Sequence, residues 1–135
     1  MVYRSRKKGG KLPPFVPLTW KMLNSSAYKK LKQSSAKALP YFLGKVKLPL
    51  FDPQRYSSPF SFSYTEAKKY GFANGTFSRV IIDLMDKGFI DPKDKGGLRG
   101  DCKTSNKFML SQRWEEYGTK NFNEVKWQCF APKNI

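Results

Sequence analysis

The stretch SYTEAKKYGFANGTFSRVIIDLMDKGFI, residues 63–90, decides the fold. It opens on Ser63-Tyr64-Thr65-Glu66, the spacing of a capping box, in which the Ser63 hydroxyl accepts from the Glu66 amide and the Glu66 side chain reaches back to the Ser63 amide. A helix therefore starts near Tyr64 and runs to about Tyr70, because Gly71 suits the left-handed conformation that ends helices. A second helix follows, capped by Asn74 or its neighbour Ala73, with Phe77, Val80, Ile81, Leu84 and Met85 falling on one apolar stripe of helical period. Gly88 ends that helix, and Phe89-Ile90 begins an extended run. Two helices joined by a short Gly-containing turn make a helix-turn-helix, and the small Ala67 lets the second approach the first closely.

The second helix keeps a polar face. Asn74, Gly75, Thr76, Ser78, Arg79, Ile82 and Asp83 take its N-terminal and outward positions, short hydrogen-bonding groups around one Arg. That set suits a major groove, where a recognition helix presents its N-terminal end to base edges. Downstream, residues 89–90, a Gly-rich run over 91–100 and Lys107-Phe108-Met109-Leu110 read as strand, long hairpin and returning strand. A basic hairpin after a recognition helix is a wing, and Lys93, Lys95 and Arg99 are placed to meet phosphates or a minor groove. The Gly-Gly-Leu-Arg-Gly run at 96–100 is not a nucleotide-cradling loop, since it lacks the Gly-Lys-Ser/Thr ending and a following helix.

Upstream, Thr19 caps a short helix and Ser25 or Ser26 restarts it. Apolar residues from Ala27 to Val46 recur mostly at three and four, with a break expected at 32–35 and a kink at Pro40. Residues 60–63 alternate as a short strand does. At the other end, residues 113–118 look briefly helical, and Phe122, Val125, Trp127 and Phe130 form an aromatic extension for the core or a partner.

Charge is unevenly spread along the 135 residues, which carry 26 Lys and Arg against 10 Asp and Glu for a net +16. Residues 1–51 hold 12 of those cations and no acid. Such asymmetry points to a polyanion, because each neutralised phosphate releases condensed counterions whatever the sequence. Within it, residues 1–14 combine Arg4, Arg6, Lys7, Lys8 and Lys11 with Gly9, Gly10 and two prolines, a flexible basic arm able to follow phosphates.

The same composition argues against catalysis. With no His, the usual general base, metal ligand and triad member is missing. Glu115 and Glu116 are adjacent and do not share a helix face, so they form no catalytic carboxylate pair. Cys102 and Cys129 show no metal-ligand spacing and read as free thiols of a reducing compartment. No catalytic residue, metal or other cofactor is expected. No stretch approaches a membrane span, and the prolines break any interfacial helix, so a cytoplasmic protein without membrane contact is expected, nucleoid-associated if the source is bacterial.

Residues 15–18, 25–31, 65–72 and 77–90, the last ending in Leu-x-x-Lys-Gly-Phe-Ile, resemble the winged helix-turn-helix proteins of bacteria and their phages and plasmids. That group includes replication-initiator-like domains and transcription regulators, and the resemblance covers about residues 15–117. It implies that Thr76, Ser78 and Arg79 lie on the base-contacting helix and that residues 93–99 form the wing. Ala73 departs from it, standing where such proteins often carry the Ser or Thr cap.

The expected architecture is thus mainly α with a small antiparallel β-wing, an α+β winged helix-turn-helix. It divides into an arm (1–14), the winged helix domain (15–111) and a C-terminal extension (112–135). The expected partner is duplex DNA. An RNA-binding accessory module and a protein-interaction winged helix stand as alternatives, and a homodimer through the N-terminal helices or the aromatic C-terminus stays open.

Overall fold

Thr19 and Ser25 each open a single helical turn in the computed structural model of the chain, which describes residues 13–93 and 107–125. Thr19 Oγ1 accepts from the Met22 amide at 3.2 Å to start α1 (Trp20–Leu23), and Ser25 Oγ accepts from the Tyr28 amide at 3.1 Å to start α2 (Ser26–Lys29). The break that follows is shorter than the sequence suggests, for α3 (Gln33–Leu43) takes in Ser34 and Ser35. A distant carboxylate explains the early start: the Lys32 amide donates to Asp83 Oδ2 at 3.0 Å, giving the helix entrance an acceptor that the Lys32 side chain lacks. Pro40 does not end α3. It removes one backbone donor, while Ala38, Leu39, Phe42 and Leu43 around it are buried and hold the helix against the core.

The region 63–90 forms two helices, the first opened by its cap and each followed by a glycine of positive φ. Ser63 Oγ accepts from the Glu66 amide at 3.0 Å at the head of α4 (Tyr64–Lys69), and Gly71 turns the chain with φ +97°. The second half of the capping box is not made, because the Glu66 carboxylate pairs with the Lys45 ammonium, a stronger partner than a backbone amide. Ala73 occupies the cap position of α5 (Asn74–Lys87), so that helix begins with no side-chain cap. Gly88 closes it in the left-handed conformation, and the Phe89 amide bonds back to the Leu84 carbonyl at 2.9 Å.

Three short strands, β1 (Phe60–Ser61), β2 (Ile90–Pro92) and β3 (Lys107–Leu110), make one antiparallel sheet in the order β1-β3-β2. The register sets Ile90 against Leu110, Pro92 against Phe108, and Phe60 against Phe108. Sequence reading expects the strand at 60–63 but not its pairing with the returning strand, a contact between residues far apart in the chain. The fold is α+β.

Phe42 of α3 sits at the centre of the core, with ring centroids 4.6 Å from Phe62, 5.9 Å from Phe77 and 5.9 Å from Phe108. These spacings lie in the range where aromatic pairs add to simple burial. One ring from α3, one from the β1–α4 link, one from α5 and one from β3 thus meet, which fixes α5 against both α3 and the sheet. Beyond β3, a 3-10 turn (Arg113–Glu116) buries Trp114 against Phe89 at 5.9 Å, so this part of the C-terminal region belongs to the core. Arg113 beside it donates to Asp91, to the carbonyls of Met85 and Ile90, and to that of Asn123. Among the described residues no helix is long and apolar enough to cross a membrane.

Candidate nucleic-acid interface

The stripe that buries Phe77, Val80, Ile81, Leu84 and Met85 leaves the opposite side of α5 outside. At its N-terminal end Asn74, Gly75 and Arg79 are exposed, and Thr76 and Ser78 are half-buried. Because no side chain caps the helix, the unbonded amides of its first turn and the positive end of its dipole meet solvent there. Arg79 Nη1 lies over Gly75, 3.9 Å from where a Cβ would stand, and has no carboxylate partner among the described residues. Ser78 is more committed, since its hydroxyl shares a 2.6 Å hydrogen bond with the Tyr64 phenol that braces α5 against α4.

Asp83 does not belong to the outward set. It is 8% exposed and forms a buried pair with Lys87, whose Nζ donates to its Oδ1 at 2.6 Å one turn along the helix. Burial pushes the Asp83 carboxyl up, but hydrogen bonds from Lys87, the Lys32 amide and Ser35, with the Lys87 charge, outweigh it and hold the carboxyl below its ordinary value. Burial likewise pulls Lys87 down, and the Asp83 bond and charge more than restore it, leaving the ammonium raised. Periodicity alone places Asp83 beside Ile82 on the free side; the contact with α3 that takes it inside is tertiary. Ile82 too is half-buried, packed at the edge of the core.

The structure also gathers cations that sequence reading does not single out. Lys68 and Lys69 are exposed at the end of α4, directly before the turn. Lys37 of α3 reaches the same turn, its Nζ 3.7 Å from the Cβ position of Gly71 and 5.1 Å from the centre of the Phe72 ring. Their signal in the sequence is weak, for exposed lysines elsewhere in the chain look the same. The two acids of α4 and of the middle of α5 are both occupied, Glu66 with Lys45 and Asp83 with Lys87. The rim of the turn and the start of α5 are therefore positive.

Lys93 is exposed at the end of β2, where its amide bonds to the Lys107 carbonyl at 2.9 Å and continues the ladder. Lys95 and Arg99 of the expected wing lie outside the described residues, as do Arg4, Arg6, Lys7, Lys8 and Lys11 of the expected arm, both cysteines, Trp127 and Phe130. No protein-family model matches this chain, and neither a curated protein nor a solved structure matches it.

Proposed function

We propose that this chain binds duplex DNA as a winged helix-turn-helix protein, a transcription regulator or replication-initiator-like factor. In this reading α4 and α5 are the helix-turn-helix, the start of α5 enters the major groove, and β2 and β3 carry the wing with Lys93, Lys95 and Arg99. The observation that carries it is the uncapped start of α5 with an Arg79 that has no carboxylate partner among the described residues, and the ammonium groups of Lys37, Lys68 and Lys69 around the adjoining turn. Arg79 is the side chain for a bidentate guanine contact, with Asn74 and Thr76 reading neighbouring edges. The lysines hold the backbone on either side and supply the sequence-independent part of binding. The arm, through Arg4, Arg6, Lys7 and Lys8, adds further phosphate contacts.

One feature favours RNA instead. Tyr41 and Tyr70 stack at 4.2 Å on the surface beside Lys37, and exposed aromatic rings are what unpaired bases stack on. Each ring already covers one face of the other, so duplex DNA remains the reading supported best.

Selection of a random duplex library on the purified full chain at several salt concentrations, with structured RNA as competitor, tests the proposal. Enrichment of a motif, with a log–log salt slope of roughly −4 to −8, is the expected result. Retention of the RNA at the expense of every duplex overturns it.

A further inference from the structure

Arg55, on the 3-10 turn Pro53–Tyr56, is buried to all but 2% of its surface. A guanidinium brings a fixed charge and five hydrogen-bond donors. Among the described residues it makes one hydrogen bond, from Nη1 to the Leu48 carbonyl at 3.1 Å, and no carboxylate stands within ion-pair distance of it. Arg113 shows how the same fold treats a structural arginine, with a carboxylate and three carbonyls on its donors. A buried cation with so few partners is costly, and natural interiors seldom leave one so.

Arg55 also stands where two concavities adjoin. One, of about 740 Å³, lies under residues 13–17 and the chain after α3; the other, of about 270 Å³, lies between α1, Phe51 and Trp114. Leu43, Leu50 and Arg55 wall both. The surroundings are mainly apolar, and Phe51 at the second mouth is 92% exposed. Glu115 is the one acid among the described residues bounding either cavity, and it is paired with Lys21 at 3.6 Å, while Lys47 adds positive charge at the first. No residue of α4 or α5 takes part.

From these facts we infer that the paired cavities bind a small organic monocarboxylate, its carboxylate on the Arg55 guanidinium and its aliphatic or aromatic body against Leu43 and Leu50. A planar monoanion matches the guanidinium fork in charge and shape. A phosphate would demand more donors than this apolar wall offers. The site is separate from the proposed DNA face, so the inference stands whether or not the chain binds DNA.

The test uses backbone-amide NMR spectra of the full chain, titrated with octanoate, hydrocinnamate and naphthoate and with the matching neutral amides. At least one acid is expected to give saturable shifts at Gly44, Lys47 and Leu50, with its amide weaker by about tenfold or more, the weight of a charge-assisted hydrogen bond. Arg55→Met, which keeps an unbranched apolar stem and removes the guanidinium with its charge, is expected to bind acid and amide alike. If Arg55→Met does not fold, the acid-to-amide ratio in the unaltered protein decides. No saturable shift at these residues, equal binding of acid and amide, or an unchanged preference in Arg55→Met overturns the inference.

Discussion

Replacing Asp83 with Leu leaves the Lys87 ammonium in its 10% exposed position with only the outward Asp86, 3.7 Å away, as a counter-charge among the described residues. The Lys32 amide and the Ser35 hydroxyl lose their acceptor in the same step. Removing one member of a buried pair costs about 3–5 kcal/mol, and an exposed substitute such as Asp86 returns less than about 1, so the expected loss is about 3 kcal/mol. Lys87→Met costs somewhat less, about 2 kcal/mol, because Asp83 keeps its bonds from Lys32 and Ser35. The double variant Asp83→Leu/Lys87→Met removes both charges and is expected to be more stable than either single variant. Urea unfolding followed by far-ultraviolet circular dichroism and tryptophan fluorescence measures all three differences. A loss below about 1 kcal/mol for Asp83→Leu, or single effects that add in the double variant, would place the pair on the surface and refute the reasoning.

The same pair sets a pH dependence. Because the Asp83 carboxyl is held below 3.8 when folded, its contribution is complete above that pH and is lost as pH falls through the lower folded value; Lys87, held above 10.5, contributes fully below that pH and loses its share as pH rises through the higher folded value. Unfolding free energies across both ranges, flatter in the double variant, check this. Gly88→Ala would set a Cβ 2.6 Å from the Trp114 nitrogen at φ +90°, whereas Gly118→Ala at the same φ meets nothing within 4 Å. The first is expected to cost more than about 2 kcal/mol and the second about 1, read from paired thermal melts. Trp114→Ala, emptying a core site 7% exposed, should cost about 3 kcal/mol or more, while Trp20→Ala, 77% exposed, should leave the urea midpoint nearly unmoved.

Local chemistry was legible in the sequence wherever one residue type does the work. Ser63 starts α4, Gly71 and Gly88 carry positive φ at the ends of the two helices, and the stripe from Phe77 to Met85 faces the core. What escaped reading depends on partners far along the chain. Asp83 is polar and lies between half-buried Ile82 and buried Leu84, and only the approach of α3 turns it inward. Glu66 has the spacing to complete its capping box, yet Lys45 captures it. β1 finds its partner across an intervening pair of helices, and Arg55, an ordinary charged residue in a Pro-rich loop, is buried by residues before and after α3. Of the candidate DNA contacts, Arg79 could be named from the outward face of α5, whereas the grouping of Lys37 with Lys68 and Lys69 required the packing of α3 beside the turn.

The most direct test of the central claim compares the unaltered protein with Arg79→Ala on the duplex recovered by selection and on a scrambled duplex of equal length. The account predicts that Arg79→Ala loses about 1–3 kcal/mol on the selected duplex and almost nothing on the scrambled one, with the salt slope changed by no more than about one. Equal losses on both duplexes, or no loss on either, would contradict the placing of α5 in the major groove.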